Sequence, residues 1–228
     1  MLTATVVGAR EYALPFLVAN HSAWIYHHFS KPICRGYGRP NRTRLLPRST
    51  TAGAQINPVL KGTLEDKAQW LQAVACGATI FVSFAGPTLR GAKGTPITDA
   101  MKSIFPLLVA NNFRRALILG TCSFKAPRDA GSLKWTALIT FIKLMNQSVY
   151  DEFSGLGTFV TSQDPAELRW TLFRVPVLHD GPVSPVKATF IGAGDDGMYI
   201  SRKSIASWVL SEMGEDSRWV GEAPLLCN

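Results

Sequence analysis

Small and hydroxyl-bearing residues follow several apolar runs of this sequence, at the point where each run ends. The runs have the length and composition of buried strands, and in an open α/β sheet a ligand binds beyond the carboxyl ends of such strands. Small residues let a ligand approach the backbone, and hydroxyls can hydrogen-bond to it. Gly, Ser and Pro are also common in any loop, so each residue alone has a second, structural explanation. The residues selected in this way are Gly8, Ala9, Arg48, Ser49, Ser83, Ala85, Gly86, Pro87, Thr121, Ser123, Pro176 and Val177.

The apolar pattern predicts alternating strands and helices through most of the chain. Continuous apolar runs at residues 78–87 and 115–123 are typical of strands buried on both faces of a parallel sheet. Thr95 and Pro96 favour the start of a helix, and apolar side chains recur at helical spacing after them, over residues 96–111. Further strands are predicted at residues 2–7, 43–49, 57–62, 169–176, 186–192 and 219–226. Further helices are predicted at residues 12–20, 64–74, 133–146, 149–161 and 201–213, the last one capped by Ser201.

This alternation indicates one α/β domain over residues 1–228, built on a doubly wound, mostly parallel sheet with right-handed crossovers. The strand at residues 2–7 is expected in the middle of the sheet, with the turn at Gly8 facing the ligand. Residues 21–43 lose all periodicity and are predicted to be an irregular insertion, and residues 177–182 a loop. His27 and His28 are adjacent and have no partner at ligand spacing, so no metal site is predicted.

The charge balance is basic, with a formal net charge of +8, and it is concentrated in the first part of the chain. Residues 1–60 contain seven Lys or Arg residues and one acidic residue, Glu11. A basic surface suits nucleic acid or a phosphate-bearing cofactor, but the chain has no nucleic-acid motif, so a nucleic-acid partner is not expected. The oligomeric state leaves no signal in the sequence.

Compartment signals favour the cytoplasm. Four cysteines occur without C-x-x-C spacing, which favours reduced thiols over a disulfide framework or a zinc site. Arg10 and Glu11 interrupt the apolar N-terminal run, so no secretory signal is predicted. No apolar run approaches the roughly 18 residues of a membrane span. We therefore expect a cytoplasmic protein without a membrane segment.

Six segments of the sequence carry a family resemblance through their order and spacing: residues 82–87, 94–99, 114–123, 132–135, 170–176 and 201–206. They resemble the NmrA-like, NAD(P)H-binding proteins of the atypical short-chain dehydrogenase/reductases, a type common in fungi. The similarity extends from Arg44 to the end of the sequence. It implies a Rossmann domain that binds NADP(H) and a small C-terminal substrate region, here residues 177–228.

The resemblance also implies roles for single residues. In that family an arginine after the second strand often binds the 2′-phosphate of NADP, and Arg48 matches its place. A guanidinium pairs bidentately with phosphate, and this turn has no acidic residue of the kind that holds the ribose hydroxyls of NAD. NADP is therefore expected rather than NAD. The alternative for Arg48 is a solvated surface charge.

Two positions depart from the family pattern. The turn after the first predicted strand has the single glycine Gly8, where dinucleotide-binding proteins have G-x-G-x-x-G or a close variant. The wider superfamily uses Tyr-x-x-x-Lys, with the tyrosine as proton donor or acceptor. Tyr150 matches that tyrosine, Ser154 replaces the lysine, and Ser123 matches the accompanying serine. The alternative for Tyr150 is a helix residue with its ring in the core.

The sequence thus predicts an NADP(H)-dependent oxidoreductase acting on a small carbonyl, quinone or related compound. Ser123 and Tyr150 are the predicted catalytic residues, and the other residues at the strand ends are predicted to bind the cofactor. A non-catalytic NAD(P)-binding regulator is the alternative, favoured by the missing lysine and the single-glycine turn. A third possibility is a degenerate paralogue with weakened cofactor binding.

Overall fold

The computed structural model describes residues 16–20, 23–27, 67–75, 78–86 and 94–228 of the chain. The predicted strands at residues 2–7, 43–49 and 57–62 lie outside these residues. Nine strands and five helices occur in the described part. The strands are β1 (Phe16–Asn20), β2 (Ala23–His27), β3 (Ile80–Ser83), β4 (Arg115–Thr121), β5 (Arg169–Val175), β6 (Val177–His179), β7 (Lys187–Thr189), β8 (Tyr199–Ser201) and β9 (Leu225–Cys227). The helices are α1 (Lys67–Val74), α2 (Pro96–Ala110), α3 (Leu133–Met145), α4 (Gln147–Thr161) and α5 (Arg202–Ser211).

Seven of the strands form one mostly parallel sheet, in the order β2-β1-β3-β4-β5-β9-β7. The five central strands, β1, β3, β4, β5 and β9, are parallel to one another. The two edge strands, β2 and β7, are antiparallel to them. All four residues of β3 are buried, as are the first six of β4, which explains their continuous apolar sequence. The prediction of an α/β fold with a mostly parallel sheet is confirmed.

Two predictions near the N-terminus are wrong. Phe16–Asn20 forms strand β1 rather than part of a helix, and Ala23–His27 forms strand β2 inside the segment predicted to be irregular. Pro15 disfavours a helix that runs through it, and the aromatic and β-branched residues of Ala23–His27 favour a strand. β1 pairs in parallel with β3, with Phe16 opposite Ile80.

The sequence pattern also does not predict the second, two-stranded sheet. Val177–His179, predicted to be a loop, forms strand β6, which pairs in parallel with β8. Each of these strands has only three residues, and their pairing partners lie more than twenty positions apart in the sequence. A local pattern therefore does not reveal them.

The remaining helices and strands agree with the sequence. Ile97, Met101, Ile104, Phe105 and Leu108 of α2 are buried, as their helical spacing predicts. The hydroxyl of Ser201 accepts a hydrogen bond from the backbone N–H of Ser204 at 3.0 Å and so caps α5 as expected. The predicted C-terminal strand is present as β9.

Helix α3 packs differently from the other helices. Trp135 is its one buried residue, while Leu133, Phe141, Leu144 and Met145 are exposed. The indole N–H of Trp135 and the ammonium of Lys134 both donate to the carboxylate of Asp196, at 2.7 and 2.8 Å. These bonds hold the start of α3 against the turn that precedes β8. Within the described residues, no helix is long and apolar enough to cross a bilayer.

Candidate functional site

The carboxyl ends of β1, β3, β4 and β5 lie side by side at one edge of the sheet. Ala19 is opposite Ser83 in the pairing of β1 with β3, and Thr121 is opposite Val175 in the pairing of β4 with β5. Because parallel strands end at the same edge, the residues that follow them meet there. The structure thus places Ser83, Thr121 and the residues just after them along the edge where the sequence predicts a ligand.

Ser83 is the last residue of β3, and Ala85 and Gly86 follow it. The hydroxyl of Ser83 accepts a hydrogen bond from the backbone N–H of Ala85 at 3.3 Å, and both residues are buried. Gly86 is partly exposed, and a Cβ built on it would come no nearer than 4.0 Å to Phe153. Packing against the described residues therefore does not require a glycine at position 86.

Ser123 lies two residues beyond the end of β4, in a turn formed by Thr121. The Thr121 hydroxyl accepts from the backbone N–H of Ser123, and its carbonyl accepts from the N–H of Phe124, both at 3.3 Å. The Ser123 hydroxyl is buried, and no partner for it exists within the described residues. A buried hydroxyl without a hydrogen bond is unfavourable, so this atom marks a place where a ligand group would be stabilised.

Tyr150 lies in the first turns of α4 and is partly buried. The ammonium nitrogen of Lys143, on the preceding helix α3, lies 5.0 Å from the centroid of its ring. The hydroxyls of Tyr150 and Ser123 are not hydrogen-bonded to each other, since that of Ser123 has no partner among the described residues. The structure therefore places the two predicted catalytic residues on α4 and after β4 without a hydrogen bond between them.

Helix α4 is held against the Ser123 loop by a close contact between Phe124 and Gly157. A Cβ built at Gly157 would lie within 2.5 Å of the Phe124 side chain, so no larger residue fits there. Gly157 is seven residues after Tyr150, or about 10 Å along the helix. The contact fixes how far Tyr150 lies along α4 from the Ser123 loop.

Pro176 and Val177 follow β5. Pro176 is buried, and proline has no N–H to donate. The N–H of Val177 donates to the carbonyl of Met198 at 3.1 Å, as part of the second sheet. Neither residue therefore has a free backbone donor for a ligand, and the Val177 side chain, which is 43% exposed, is what this segment presents to solvent.

The cofactor-binding predictions for Gly8, Ala9, Arg48, Ser49 and Pro87 lie outside the described residues. The strand next to β3 is β1, and only two residues, His21 and Ser22, separate it from β2. Neither is a glycine, so the sequence between β1 and β2 has no glycine-rich phosphate-binding motif. The next described element after β1 is the antiparallel strand β2, not a helix whose N-terminus could bind a phosphate.

Glu152 occupies the N-terminus of α2. Its carboxylate accepts from the backbone N–H of Ile97 at 3.0 Å, and from the N–H and hydroxyl of Thr98 at 2.8 and 2.7 Å. The side chain is buried, so it supplies the negative charge that a helix N-terminus favours. This helix start is therefore closed to an external anion.

Three charged groups near the site were not identified from the sequence: Glu152, Arg174 and Asp129. Arg174 and Asp129 form a buried ion pair between β5 and the loop after Ser123. The available signal for Arg174 was its charge within the apolar strand β5, since a buried arginine needs partners. The loop position of Asp129 and the helical position of Glu152 gave no comparable signal.

Cys122 and the acidic groups do not provide a nucleophile or a metal centre. Burial raises the pKa of the Cys122 thiol to about 11, so it stays protonated at neutral pH. Among the described residues, no group of three or more His, Cys, Asp or Glu side chains is placed to hold a metal ion.

A groove of about 490 Å³ lies between α2 and α4. None of the residues predicted to bind a cofactor or substrate lines it. Its lining is rich in hydroxyls and consists of Thr95, Thr98, Lys102, Asp151, Ser154, Gly155, Thr158, Phe159 and Ser162.

Comparison with known proteins identifies the fold. No protein-family model matches the chain, and no curated protein matches it in sequence. A short-chain dehydrogenase/reductase from Veillonella parvula in complex with NADP is similar in structure over 73% of this chain and 70% of that chain, with a TM-score of 0.54 and 16% identity. ChuY, an anaerobillin reductase from Escherichia coli O157:H7, covers 72% of both chains, with a TM-score of 0.54 and 13% identity.

A third similar structure comes from Bacillus halodurans and is described as a candidate NAD-dependent epimerase/dehydratase. It covers 73% of this chain and 71% of its own, with a TM-score of 0.55 and 13% identity. At such identities the similarity shows the fold. The chain has the Rossmann-like α/β fold that occurs in NAD(P)-binding short-chain dehydrogenase/reductases.

Proposed function

We propose that this protein is an NADP(H)-dependent oxidoreductase of the NmrA-like, atypical short-chain type, acting on a small carbonyl, quinone or related compound. The observation that carries the proposal is the buried hydroxyl of Ser123, which has no partner within the described residues and lies at the carboxyl edge of a Rossmann-like sheet. In this fold that edge is where a dinucleotide binds. The V. parvula structure with a similar fold contains NADP, which supports the choice of cofactor.

The described residues fit one half of such a cofactor. Ser123 and the partly exposed Gly86 suit a polar, flat group such as the nicotinamide. The start of α2 is capped by Glu152 and closed to phosphate, and the sequence between β1 and β2 has no glycine-rich motif for it. We therefore assign phosphate binding to Gly8, Ala9, Arg48 and Ser49, with Arg48 on the 2′-phosphate.

NADPH, when bound, supplies a hydride to the substrate carbon, and the protein supplies a proton to the substrate oxygen. We assign that proton to the Tyr150 hydroxyl, and the hydrogen bond that orients the reacting group to Ser123. Lys143 holds a positive charge 5.0 Å from the centre of the Tyr150 ring, on the neighbouring helix. We also propose that the protein acts on a small molecule and not on a nucleic acid or a membrane. Its proposed location is the cytoplasm.

The second candidate function is a non-catalytic NAD(P)-binding regulator. Two observations favour it: Ser154 stands where the superfamily has a lysine, and a two-residue connection replaces a phosphate-binding crossover after β1. This candidate predicts dinucleotide binding without turnover.

One experiment on the purified chain separates the candidates. Calorimetric titration with NADPH, NADP⁺, NADH and NAD⁺ tests binding, and the loss of NADPH absorbance with a panel of aldehydes, ketones and quinones tests turnover. The oxidoreductase requires tighter binding of NADP(H) than of NAD(H), and oxidation above background. Binding without oxidation of any compound favours the regulator, and no binding contradicts both functions.

A further inference from the structure

Arg174 is a charged residue of the central sheet whose side chain is fully buried. Its guanidinium donates to both carboxylate oxygens of Asp129, at 2.6 and 2.7 Å. It also donates to the carbonyl of Ala223 at 2.8 Å and to the carbonyl of Phe124 at 3.1 Å. Gly120 on β4 lies beside it, and a Cβ there would be 3.5 Å from the Arg174 side chain. The group thus has defined partners on three segments of the chain.

The side chain of Asp129 is also buried, and each of its carboxylate oxygens accepts two hydrogen bonds. Besides Arg174, its oxygens accept from the backbone N–H groups of Ala126 at 2.8 Å and Ile191 at 3.0 Å. A further backbone bond joins Ala130 to the carbonyl of Ile191 at 2.8 Å. The loop that follows Ser123 is therefore fixed both to β5 and to the segment after β7.

Stability alone does not account for this pair. Desolvating two charges offsets most of their attraction, and well-packed apolar residues of the same volume often give equal or greater stability. Arg115 provides a comparison, since it is equally buried on the amino side of the same strands but bonds to the carbonyls of Arg169 and Glu212 and to the Thr171 hydroxyl. The bidentate pairing of Arg174 instead defines the position of one loop.

We infer that Arg174 and Asp129 are positioning residues for Ser123, acting through the carbonyl of Phe124 and the loop that follows it. Ser123 lies between two fixed points, the Thr121 turn before it and the Arg174 bond to Phe124 after it. Both charged side chains are buried and bonded to protein partners, so we assign neither of them to a ligand. The inference rests on the proposed function, in which the Ser123 hydroxyl binds the cofactor or the substrate.

A double-mutant cycle tests the inference, with NADPH affinity measured by calorimetry. Arg174→Lys keeps the charge but loses the bidentate geometry, and we expect it to weaken NADPH binding by about tenfold. In a Ser123→Ala background the same change should weaken binding by less than about twofold, because the group being positioned is gone. Asp129→Asn should repeat both results, and it replaces Arg174→Lys if that variant does not fold.

Arg115→Lys is the matched control, since it alters a buried arginine of the same strands without touching the Ser123 loop. We expect it to lower the melting temperature while leaving NADPH affinity unchanged. Hydrogen exchange of residues 122–131 should accelerate in Arg174→Lys and Asp129→Asn but not in Arg115→Lys. Unchanged exchange in both of the first two variants would overturn the inference.

The outcomes separate this inference from the proposed function. If the wild-type chain does not bind NADPH, the proposed function fails, and the inference fails with it. If the wild type binds but Ser123→Ala has no effect, or if Arg174→Lys has the same effect in both backgrounds, the oxidoreductase proposal stands and the positioning role is wrong.

Discussion

Among single residues, the two serines Ser123 and Ser204 are both buried but differ in their hydrogen bonding. The Ser204 hydroxyl accepts from the N–H of Ser184 and from the side chain of Asn228, at 2.9 and 2.7 Å, whereas that of Ser123 has no partner in the described part of the chain. Ser204→Ala should lower the free energy of unfolding by about 1–3 kcal/mol, because it removes both hydrogen bonds that this buried hydroxyl accepts.

Ser123→Ala should change the free energy of unfolding by less than about 0.5 kcal/mol, because it removes a hydroxyl that makes no hydrogen bond to any described residue. Urea denaturation of both variants measures the contrast. A loss of stability in Ser123→Ala equal to that in Ser204→Ala would mean that Ser123 has a structural partner, and would remove the observation on which the proposed function rests.

Tyr150 provides a second prediction for a single residue. Tyr150→Phe keeps the ring beneath the Lys143 ammonium and removes only the hydroxyl. If that hydroxyl donates the proton, kcat should fall by about 100-fold, while the dissociation constant for NADPH stays within about twofold. Steady-state kinetics with the best substrate of the panel, together with calorimetry, tests both parts. An unchanged kcat would show that the proton comes from another group.

For secondary-structure elements, the fit of α4 against the Ser123 loop predicts opposite effects at two glycines of one helix. Alanine favours a helix over glycine by about 1 kcal/mol. At Gly155 the added methyl would meet Thr98 at 3.5 Å, an ordinary contact, so Gly155→Ala should stabilise the protein by about 0.5–1 kcal/mol. At Gly157 the methyl would collide with the Phe124 side chain, so Gly157→Ala should lower the free energy of unfolding by about 1–3 kcal/mol.

Chemical denaturation of the two glycine variants compares them directly. Because the collision at Gly157 shifts α4 relative to the Ser123 loop, Gly157→Ala should also weaken NADPH binding, whereas Gly155→Ala should not. Stabilisation by both substitutions would mean that α4 is free to move away from Phe124.

The same elements show how far the sequence predicts the structure. The strands β3, β4 and β5 and the helices α2, α4 and α5 have local signals: apolar runs ended by breakers, Pro96 at a helix start, Ser201 at a cap. β1 was predicted to be helical because its residues are apolar without a clear period, and pairing with β3 decides its conformation. β6 and β8 depend on each other across more than twenty residues, which no local pattern shows.

Only part of the candidate site can likewise be predicted from the sequence. The rule that ligands bind at the carboxyl ends of strands selected Ser83, Thr121 and Ser123 from sequence alone, and the structure places them along one edge. That the Ser123 hydroxyl lacks a partner, and that Arg174 and Asp129 pair behind it, depends on tertiary contacts between segments 45 residues apart. Those features become visible only in three dimensions.

For the whole molecule, Asp196 joins the C-terminal region to helix α3. Burial raises the pKa of its carboxyl, but hydrogen bonds from Lys134, the Gly192 backbone and Trp135 outweigh this, and the net pKa is lowered. A carboxyl whose pKa is lower in the folded protein than in the unfolded chain stabilises the fold while it is ionised. This stabilisation is fully present above the pKa of the unfolded state, about 3.9, and it is lost as the pH falls through the pKa of the folded state.

Asp196→Asn should therefore lower the free energy of unfolding at pH 7 by about 1–3 kcal/mol. The difference between variant and wild type should become smaller below about pH 4. Urea denaturation of both proteins at pH 7 and at pH 3 gives the comparison. An equal difference at both pH values would show that the charge of Asp196 does not contribute.

The position of β9 in the sheet has a consequence for synthesis on the ribosome. β9 (Leu225–Cys227) lies between β5 and β7, so the outer edge of β5, which ends at Val175, stays unpaired until residues 225–227 have been made. Translation adds about 5–20 residues per second, so this edge of the nascent chain is open for several seconds. An open strand edge can pair with other chains. Slow translation over residues 176–224 should therefore increase aggregation of newly made protein, and chaperones that cover exposed strands should reduce it.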